Sequence, residues 1–469
     1  MSQARRLRMA NARDRLTALL VAAIAMNAST VAAETMSGAL ARAYQNNPEL
    51  NEQRAAVRVA DESVPQAKSG WLPTINGVAT DGPQYAVAKN DPTSPPTQAS
   101  KAAAATYEID FSQTLYDGGR TANSVIKAES GVLAARALLR QSESDTLQTA
   151  ATAYMDVMRD TAILNLRRGY VDALAAELEN ARARFEANQV MRTDVAQAET
   201  FLAQARADLA LARANLQASI ASYRRVVGVA PGRLQPARPI EKLLPGSLEL
   251  AIATAMTQHP TIAAALHQAD VAESAVKVAE GALSPTVIAT GTAQQPNAFT
   301  GPPDNVISFA NFGGQVDAPL YQGGAEYAAV RQAKEQLSAA RFAVATQRDG
   351  VRGRLSAAWG RLAAARASVP AYEATVRADE FSLMGVREEA LDGLRTTLDI
   401  LNAHQALLTS RMQLLSAQYE RVVASYAVMA TAGLLSAQGL GLAVTAYNPR
   451  AHYDQTKNRF IGVGAPDGR

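Results

Sequence analysis

The sequence contains few side chains in the arrangements that catalysis requires. It has no HExxH zinc motif, no GxSxG nucleophile turn and no phosphate-binding glycine loop. Its four histidines are widely separated: His259, His267, His404 and His452. The chain also has no cysteine, which excludes thiolate nucleophiles, thiolate metal sites and disulfides. We therefore expect neither an enzyme nor a site for a metal or a cofactor.

The polar residues with the most suggestive spacing belong to a sequence repeat. Thr193 and Asp194 begin a helical segment, and Asp399 begins another one 205 positions after Asp194, close to Arg395 and Asn402. From the residues alone, helix capping is the role that these positions suggest, because Thr or Asp in a first turn accepts hydrogen bonds from free backbone N–H groups.

These motifs are part of an internal duplication that covers nearly all of the chain after residue 33. Leu115–Gly119, with the sequence LYDGG, returns as Leu320–Gly324, and the offset of 205 persists without a gap for about 110 residues. Earlier in the chain, Pro48 and Pro260 are related by an offset of 212. We therefore divide the chain into a first repeat at 34–230, a linker at 231–246, a second repeat at 247–433 and a C-terminal segment at 434–469.

Each repeat contains one predicted β-hairpin. In the stretch 107–116, apolar and polar residues alternate, which suits a strand with one apolar and one wet face and matches the length of a membrane barrel strand. A soluble hairpin is the alternative interpretation. We place the hairpins at about 74–116 and 286–320, with strands near 74–87, 104–116, 286–294 and 306–320. After each hairpin a glycine pair lets the chain turn from strand to helix: Gly118 and Gly119, then Gly323 and Gly324.

Each repeat also contains a predicted long antiparallel helical hairpin, at about 120–228 and 325–433. Large apolar residues recur every seventh position and face a row of small residues, which is the pattern of a coiled-coil seam. Asp194 and Gln197 have the spacing of a capping box. Two residues depart from the pattern in the second repeat. Pro370 should kink or interrupt its helix, and Arg421 should line a tunnel or extend its charged end from the seam into solvent.

The first 33 residues have the three-part pattern of a secretory signal peptide. Five arginines precede a short apolar run, and Val31-Ala32-Ala33 offers small residues for cleavage, with an uncleaved anchor helix as the alternative. The net charge of +3 lies mostly in this segment, so we expect no nucleic-acid partner. If the exported strands cross a membrane, four are too few, because about eight strands make the smallest membrane barrel. Several copies would then share one barrel.

The chain resembles the TolC family of outer-membrane channel proteins over essentially all of its length after residue 33. The resemblance rests on Asn47–Leu50, on the two LYxGG turns, on Thr193–Val195 with its counterpart Leu398–Ile400, and on the C-terminal sequence YNPRAHYDQTKNRFIG. The absence of a cysteine for lipid attachment makes the chain more similar to the TolC branch than to the lipid-anchored branch.

This resemblance implies an α+β membrane protein of a Gram-negative bacterium. Four β-strands from each chain of a homotrimer would form a twelve-stranded β-barrel in outer-membrane lipid, above an α-helical barrel of long coiled-coil helices in the periplasm. The implied partners are a periplasmic adaptor protein and an inner-membrane RND or ABC transporter, with drugs or unfolded proteins as cargo.

The resemblance also assigns roles at the tips of the helical hairpins. It implies that Arg395 contacts Thr193 and Asp194 to hold a closed entrance. It also implies that Asp399, supplied once by each chain, forms a ring of carboxylates that favours cations, with helix capping as the alternative role for these residues. Asn402 stands where some family members have a second ring carboxylate. A secreted coiled-coil structural protein without membrane-spanning strands is the competing interpretation of the whole chain.

Overall fold

The computed structural model describes residues 34–87, 99–297 and 308–466. The predicted signal peptide at 1–33 lies outside the described residues, as does the greater part of the predicted loops near 88–100 and 294–305. No helix in the described ranges is both long enough and apolar enough to cross a membrane. The elements are α1 (Met36–Asn46), α2 (Pro48–Lys68), β1 (Thr74–Val87), β2 (Ala99–Tyr116), α3 (Arg120–Glu186), α4 (Arg192–Val227), α5 (Leu248–Gln258), α6 (Pro260–Gly281), β3 (Thr286–Asn297), β4 (Phe309–Asp317), α7 (Ala325–Leu391), α8 (Thr397–Thr431) and α9 (Arg450–Thr456).

The helices α3 and α7 each contain 67 residues, which corresponds to a length of roughly 100 Å at 1.5 Å per residue. The predicted interruption at Pro370 is wrong, because α7 continues through it from Ala325 to Leu391. Pro370 is exposed, whereas Val369 before it and Leu383 after it are buried. The proline removes one backbone donor from a helix that buried side chains hold on either side of it.

The large-against-small seam of the first helical hairpin is present as predicted. Leu174 and Leu178 of α3 pack in one buried cluster with Ala198, Leu202 and Ala205 of α4. Small side chains on α4 let the two helices approach closely, and Leu401 of α8 joins the same cluster. The second hairpin is therefore packed against the first at this level.

The four strands form one antiparallel sheet in the order β1-β2-β3-β4. The predicted strand bounds need correction at four ends, since β2 begins at Ala99, β3 continues to Asn297, and β4 begins at Phe309 and ends at Asp317. The early end of β4 has a local cause in the sequence: Pro319 has no backbone N–H with which to continue the ladder.

The alternation in β2 places its side chains on opposite faces of the sheet. Phe111 pairs with Gly291 of β3, which pairs in turn with Phe312 of β4. The two aromatic rings pack with centroids 6.3 Å apart across the space that the glycine leaves free. On the other face, Thr292 donates a hydrogen bond of 3.1 Å to the Asp110 carboxylate. The sheet thus has one apolar and one polar face.

The described residues form two compact units. The first comprises residues 34–47, 143–248 and 355–444, and the second comprises 48–87, 99–142, 249–297, 308–354 and 445–466. Both units draw on both sequence repeats, because α3 and α7 run through both units.

In the first unit, the linker between the repeats is attached to α8. Arg421 donates to both carboxylate oxygens of Glu241, at 2.8 and 3.3 Å, and Arg366 lies 3.2 Å from the same carboxylate. The two arginines, Arg421 first, lower the pKa of Glu241. Arg421 therefore has an ion-pair partner that neither sequence interpretation considered.

In the second unit, the C-terminal segment is held by a buried charge cluster. His452 of α9 places Nδ1 at 3.1 Å from the Asp61 carboxylate of α2, and Arg136 of α3 donates to the same carboxylate at 3.3 Å. The Asp61 side chain is fully buried, and burial raises its pKa against the opposing effect of His452 and Arg136. Lys68 adds a hydrogen bond of 3.1 Å to the Lys457 carbonyl, just after α9.

A buried histidine begins α6 in the same unit. His259 Nδ1 accepts hydrogen bonds from the backbone N–H and the hydroxyl of Thr261, at 3.2 and 2.8 Å. These bonds require the neutral ring, and burial, followed by the charge of Arg354, lowers the pKa of His259 from 6.5 to about 4. The equivalent position in the first repeat is Asn47, which does not titrate.

We therefore expect His259 to make the stability of the protein pH-dependent. The unfolded chain binds the proton first as the pH falls, so the contribution is complete above about pH 6.5 and is lost towards about pH 4, by roughly 3 kcal/mol in total. Thermal unfolding of the wild type and His259→Asn, measured from neutral to acidic pH, tests this. A slope of stability against pH that is the same in both proteins would contradict it.

Candidate channel entrance

The helical hairpins end in two tips with the same backbone geometry. Asn188 has φ +55° at the first tip, and Gly393, 205 positions later, has φ +75° at the second. In both, the next backbone N–H donates to a carbonyl five residues earlier: Gln189 to Arg184 at 2.8 Å and Leu394 to Glu389 at 2.9 Å. These bonds satisfy the free carbonyls at a helix end. The repeat thus reverses the chain with the same turn at both tips.

Asp399 caps the helix that follows the second tip. Its carboxylate accepts from the Thr396 backbone N–H at 2.9 Å and from the Thr396 hydroxyl at 2.8 Å, while its own N–H donates to that hydroxyl at 3.3 Å. This is a complete capping box. The Thr396 bonds, with a smaller effect of Arg395, lower the pKa of Asp399, so the carboxylate stays negatively charged near the tip.

Asp194 occupies the equivalent position at the first tip. Its carboxylate accepts from the Met191 backbone N–H at 2.9 Å. The predicted capping box with Gln197 is wrong, because Asp194 is the third residue of α4 and reaches back to the residue before the helix. Thr193 is exposed beside it in the first turn. Capping therefore accounts for Asp194 within the single chain.

Arg395 pairs with a residue that the sequence did not indicate. Its Nε lies 2.7 Å from Glu389 Oε2, near the end of α7, and Glu389 raises the pKa of Arg395. Among the described residues of the single chain, no hydrogen bond or ion pair joins Arg395 to Thr193 or Asp194. That contact stays a prediction for the assembled protein. Asn402 is exposed on α8.

Behind the tips lies a charged network that sequence reasoning missed. Glu177 of α3, Arg387 of α7 and His404 of α8 approach one another within 2.8 to 3.5 Å. The sequence carried a signal, because His404 follows Ile400 by four positions and precedes Leu407 by three, on the buried face of α8. Among the described residues, no cluster of potential ligands could hold a metal ion.

The glycine pairs have the positive φ angles expected of them. Gly118 and Gly119 have φ +67° and +79°, and Gly323 and Gly324 have φ +68° and +86°. The first pair has an additional constraint, because a Cβ on Gly118 would lie 2.5 Å from the carbonyl oxygen of Gly281. Glycine is required there for space as well as for backbone angle.

Solved structures establish the class of fold. The crystal structure of the outer membrane channel CmeC from Campylobacter jejuni matches with a TM-score of 0.76 at 16% sequence identity, covering 90% of this chain and 89% of that one. The arrangement of paired long helices and a small antiparallel sheet is therefore that of outer-membrane channel proteins.

Sequence comparison then identifies the family. The model of the outer membrane efflux protein family matches residues 39–229 and 251–434, and the chain belongs to this family. The outer membrane efflux protein BepC of Brucella suis biovar 1 (strain 1330) is 40% identical over 452 residues, covering 96% of this chain and 97% of BepC. The outer membrane protein TolC of Vibrio cholerae serotype O1 is 26% identical over 320 residues, covering 67% and 71%. The resemblance drawn from the motifs is thereby confirmed, and the outer membrane is the location of the protein.

Proposed function

We propose that three copies of the chain assemble into one channel across the outer membrane, the number that the TolC resemblance implies. The observation that carries the proposal is the open sheet. Among the described residues, β1 and β4 each pair with only one strand, so each leaves an edge unpaired. An open edge in lipid leaves backbone groups without partners, at several kcal/mol each. Four strands are about half of the smallest membrane barrel, and three copies supply twelve.

The apolar face of the sheet supports contact with outer-membrane lipid. Ile75, Ile109 and Phe312 are 68%, 56% and 78% exposed in the single chain. Aromatic and aliphatic side chains on the outer face, with polar residues such as Asp110 on the other, are typical of membrane barrels whose interior holds water. The shared barrel would place this face against lipid and the polar face towards the passage.

Below the barrel, the helical hairpins would form the wall of a periplasmic tunnel. The chain would then be the exit duct of a tripartite efflux system, a type I secretion system, or both. Its partners would be a periplasmic adaptor protein and an inner-membrane RND or ABC transporter, and its cargo would be drugs or unfolded proteins. The name of the Brucella relative BepC, an outer membrane efflux protein, supports a role in efflux.

Purification of the mature protein tests the channel assignment. We expect recovery in the outer-membrane fraction, gel migration that changes on heating, and discrete conductance steps in planar lipid bilayers. A water-soluble monomer with protease-sensitive strands would instead support a secreted coiled-coil protein.

We expect Asp399 to supply a ring of three carboxylates at the entrance of the assembled channel. Asp399→Asn should then weaken the block of the pore by divalent cations, because close carboxylates attract them at short range. Conductance in planar bilayers with and without added magnesium measures the block. Thr396→Val is the matched control, since it removes the hydroxyl from the capping box and keeps the charge. Equal block in the wild type and Asp399→Asn would show that Asp399 does not line the passage.

A further inference from the structure

The network behind the tips joins three helices through one histidine nitrogen. Nη2 of Arg387 lies 3.0 Å from Glu177 Oε1 and 2.8 Å from His404 Nε2. The same His404 nitrogen lies 3.5 Å from Glu177 Oε1. The side chains of Glu177 and His404 are 10% and 9% exposed, whereas that of Arg387 is 48% exposed. A half-exposed cation is thus bound by two buried partners.

The donor chemistry fixes the protonation state of the ring in this arrangement. A guanidinium only donates hydrogen bonds, so His404 Nε2 must accept from Arg387 and must carry no proton. The two hydrogens of Arg387 Nη2 then bind one acceptor each, Glu177 and His404. The pKa of Glu177 is lowered to about 2, by His404 when its ring donates to the carboxylate and by the Arg387 guanidinium, so this carboxylate stays negatively charged.

The remaining surroundings of His404 offer no competing charge. On α3, the neighbour of Glu177 is Asn180, which hydrogen-bonds to the same carboxylate. Leu401, one turn before His404, lies in a buried apolar cluster with Ala198, Leu202 and Ala205 of α4. Among the described residues, the charged groups in contact with His404 are therefore Glu177 from α3 and Arg387 from α7.

We propose that His404 is a proton-operated latch, which holds the end of α7 against α3 and α8 when neutral and releases Arg387 when protonated. A proton on Nε2 would face the Arg387 guanidinium at 2.8 Å, where two cationic donors repel each other. In the part of the chain that the structure describes, Glu177 is the acceptor within reach, so the protonated ring donates to Glu177 and competes with Arg387 for it. Arg387 then turns towards solvent, to which it is already half exposed.

The latch lies close to the second tip, so its release should affect how easily ions and cargo pass the channel entrance. Arg387 is four residues before Leu391, the last residue of α7, and Glu389 between them holds both Leu394 and Arg395. Loosening the last turn of α7 therefore loosens the tip that carries Arg395 and precedes Asp399. This inference rests on the proposed channel function and adds regulation by pH to it.

Two substitutions separate the two states of the ring. In His404→Gln, the side-chain oxygen can still accept from Arg387 but takes up no proton, so we expect the conductance in planar bilayers to be nearly independent of pH. In His404→Lys, a permanent cation faces Arg387, so we expect high conductance already at neutral pH. The wild type should conduct severalfold better at about pH 5.5 than at about pH 7.5.

The outcomes distinguish a failure of the latch proposal from a failure of the channel function on which it rests. A wild type that conducts equally at both pH values, or a His404→Gln channel that keeps the wild-type pH profile, overturns the latch and leaves the channel assignment intact. A wild type that never conducts overturns the channel assignment itself. If His404→Lys does not assemble, as judged by heat-dependent gel migration, the pH profile of His404→Gln alone decides.

Discussion

Gly118→Ala is expected to abolish assembly of the channel in the outer membrane. The residue has φ +67°, a conformation that costs an L-residue about 1–2 kcal/mol. In addition, the new Cβ would lie 2.5 Å from both the Gly281 carbonyl oxygen and the Ser284 Cβ. Non-bonded heavy atoms cannot approach one another that closely. The end of α6 would therefore have to move away from the turn between β2 and α3. The amount of heat-modifiable oligomer in the outer-membrane fraction measures the effect.

Gly323→Ala separates the two causes. Gly323 has φ +68°, almost the same angle, but among the described residues other than its chain neighbours no heavy atom lies within 4 Å of the position that its Cβ would take. It should therefore lose only the backbone contribution of about 1–2 kcal/mol and still assemble. Equal loss of oligomer in both variants would show that the left-handed angle, and not the close approach to Gly281, makes glycine necessary at Gly118.

The parts of the fold that depend on local periodicity could be predicted from the sequence. The repeat, the two helical hairpins and the turns at the glycine pairs all follow from patterns that neighbouring residues carry. Heptads predict the packing of α3 on α4 because the seam residues lie on one face whatever the partner. The ends of the strands could be predicted less closely, because most of them lack a sequence signal such as Pro319, which follows the end of β4.

The charged contacts could not be predicted in the same way. Arg395 pairs with Glu389 and Arg421 with Glu241, in both cases because the backbone brings a carboxylate within reach of a long flexible side chain. Sequence spacing does not decide among several possible carboxylates. Asp61 and His452 are 391 positions apart, and no local pattern connects them. The resemblance to a family guided the choice of tip residues, but it indicated partners that the single chain does not show.

Asp61→Ala should strongly destabilise the second unit. It leaves His452, 3% exposed, and Arg136, 16% exposed, without their shared carboxylate, and removal of one partner from a buried ion pair typically costs about 3–5 kcal/mol. The segment around α9 should detach from α2 as a result. Thermal unfolding followed by circular dichroism, together with protease sensitivity of the C-terminal segment, measures the effect.

Two variants determine whether charge or hydrogen bonding holds this cluster. Burial raises the pKa of Asp61 despite its contacts with His452 and Arg136, which means that the carboxylate is incompletely compensated for its lost hydration. Asp61→Asn, which keeps one acceptor oxygen without the charge, should therefore cost less than Asp61→Ala. Glu62, 45% exposed and 3.8 Å from His452, is the matched control, and Glu62→Ala should change the stability by less than about 1 kcal/mol. If Asp61→Asn is as damaging as Asp61→Ala, the ionic attraction outweighs the cost of burial, and the cluster is held by charge.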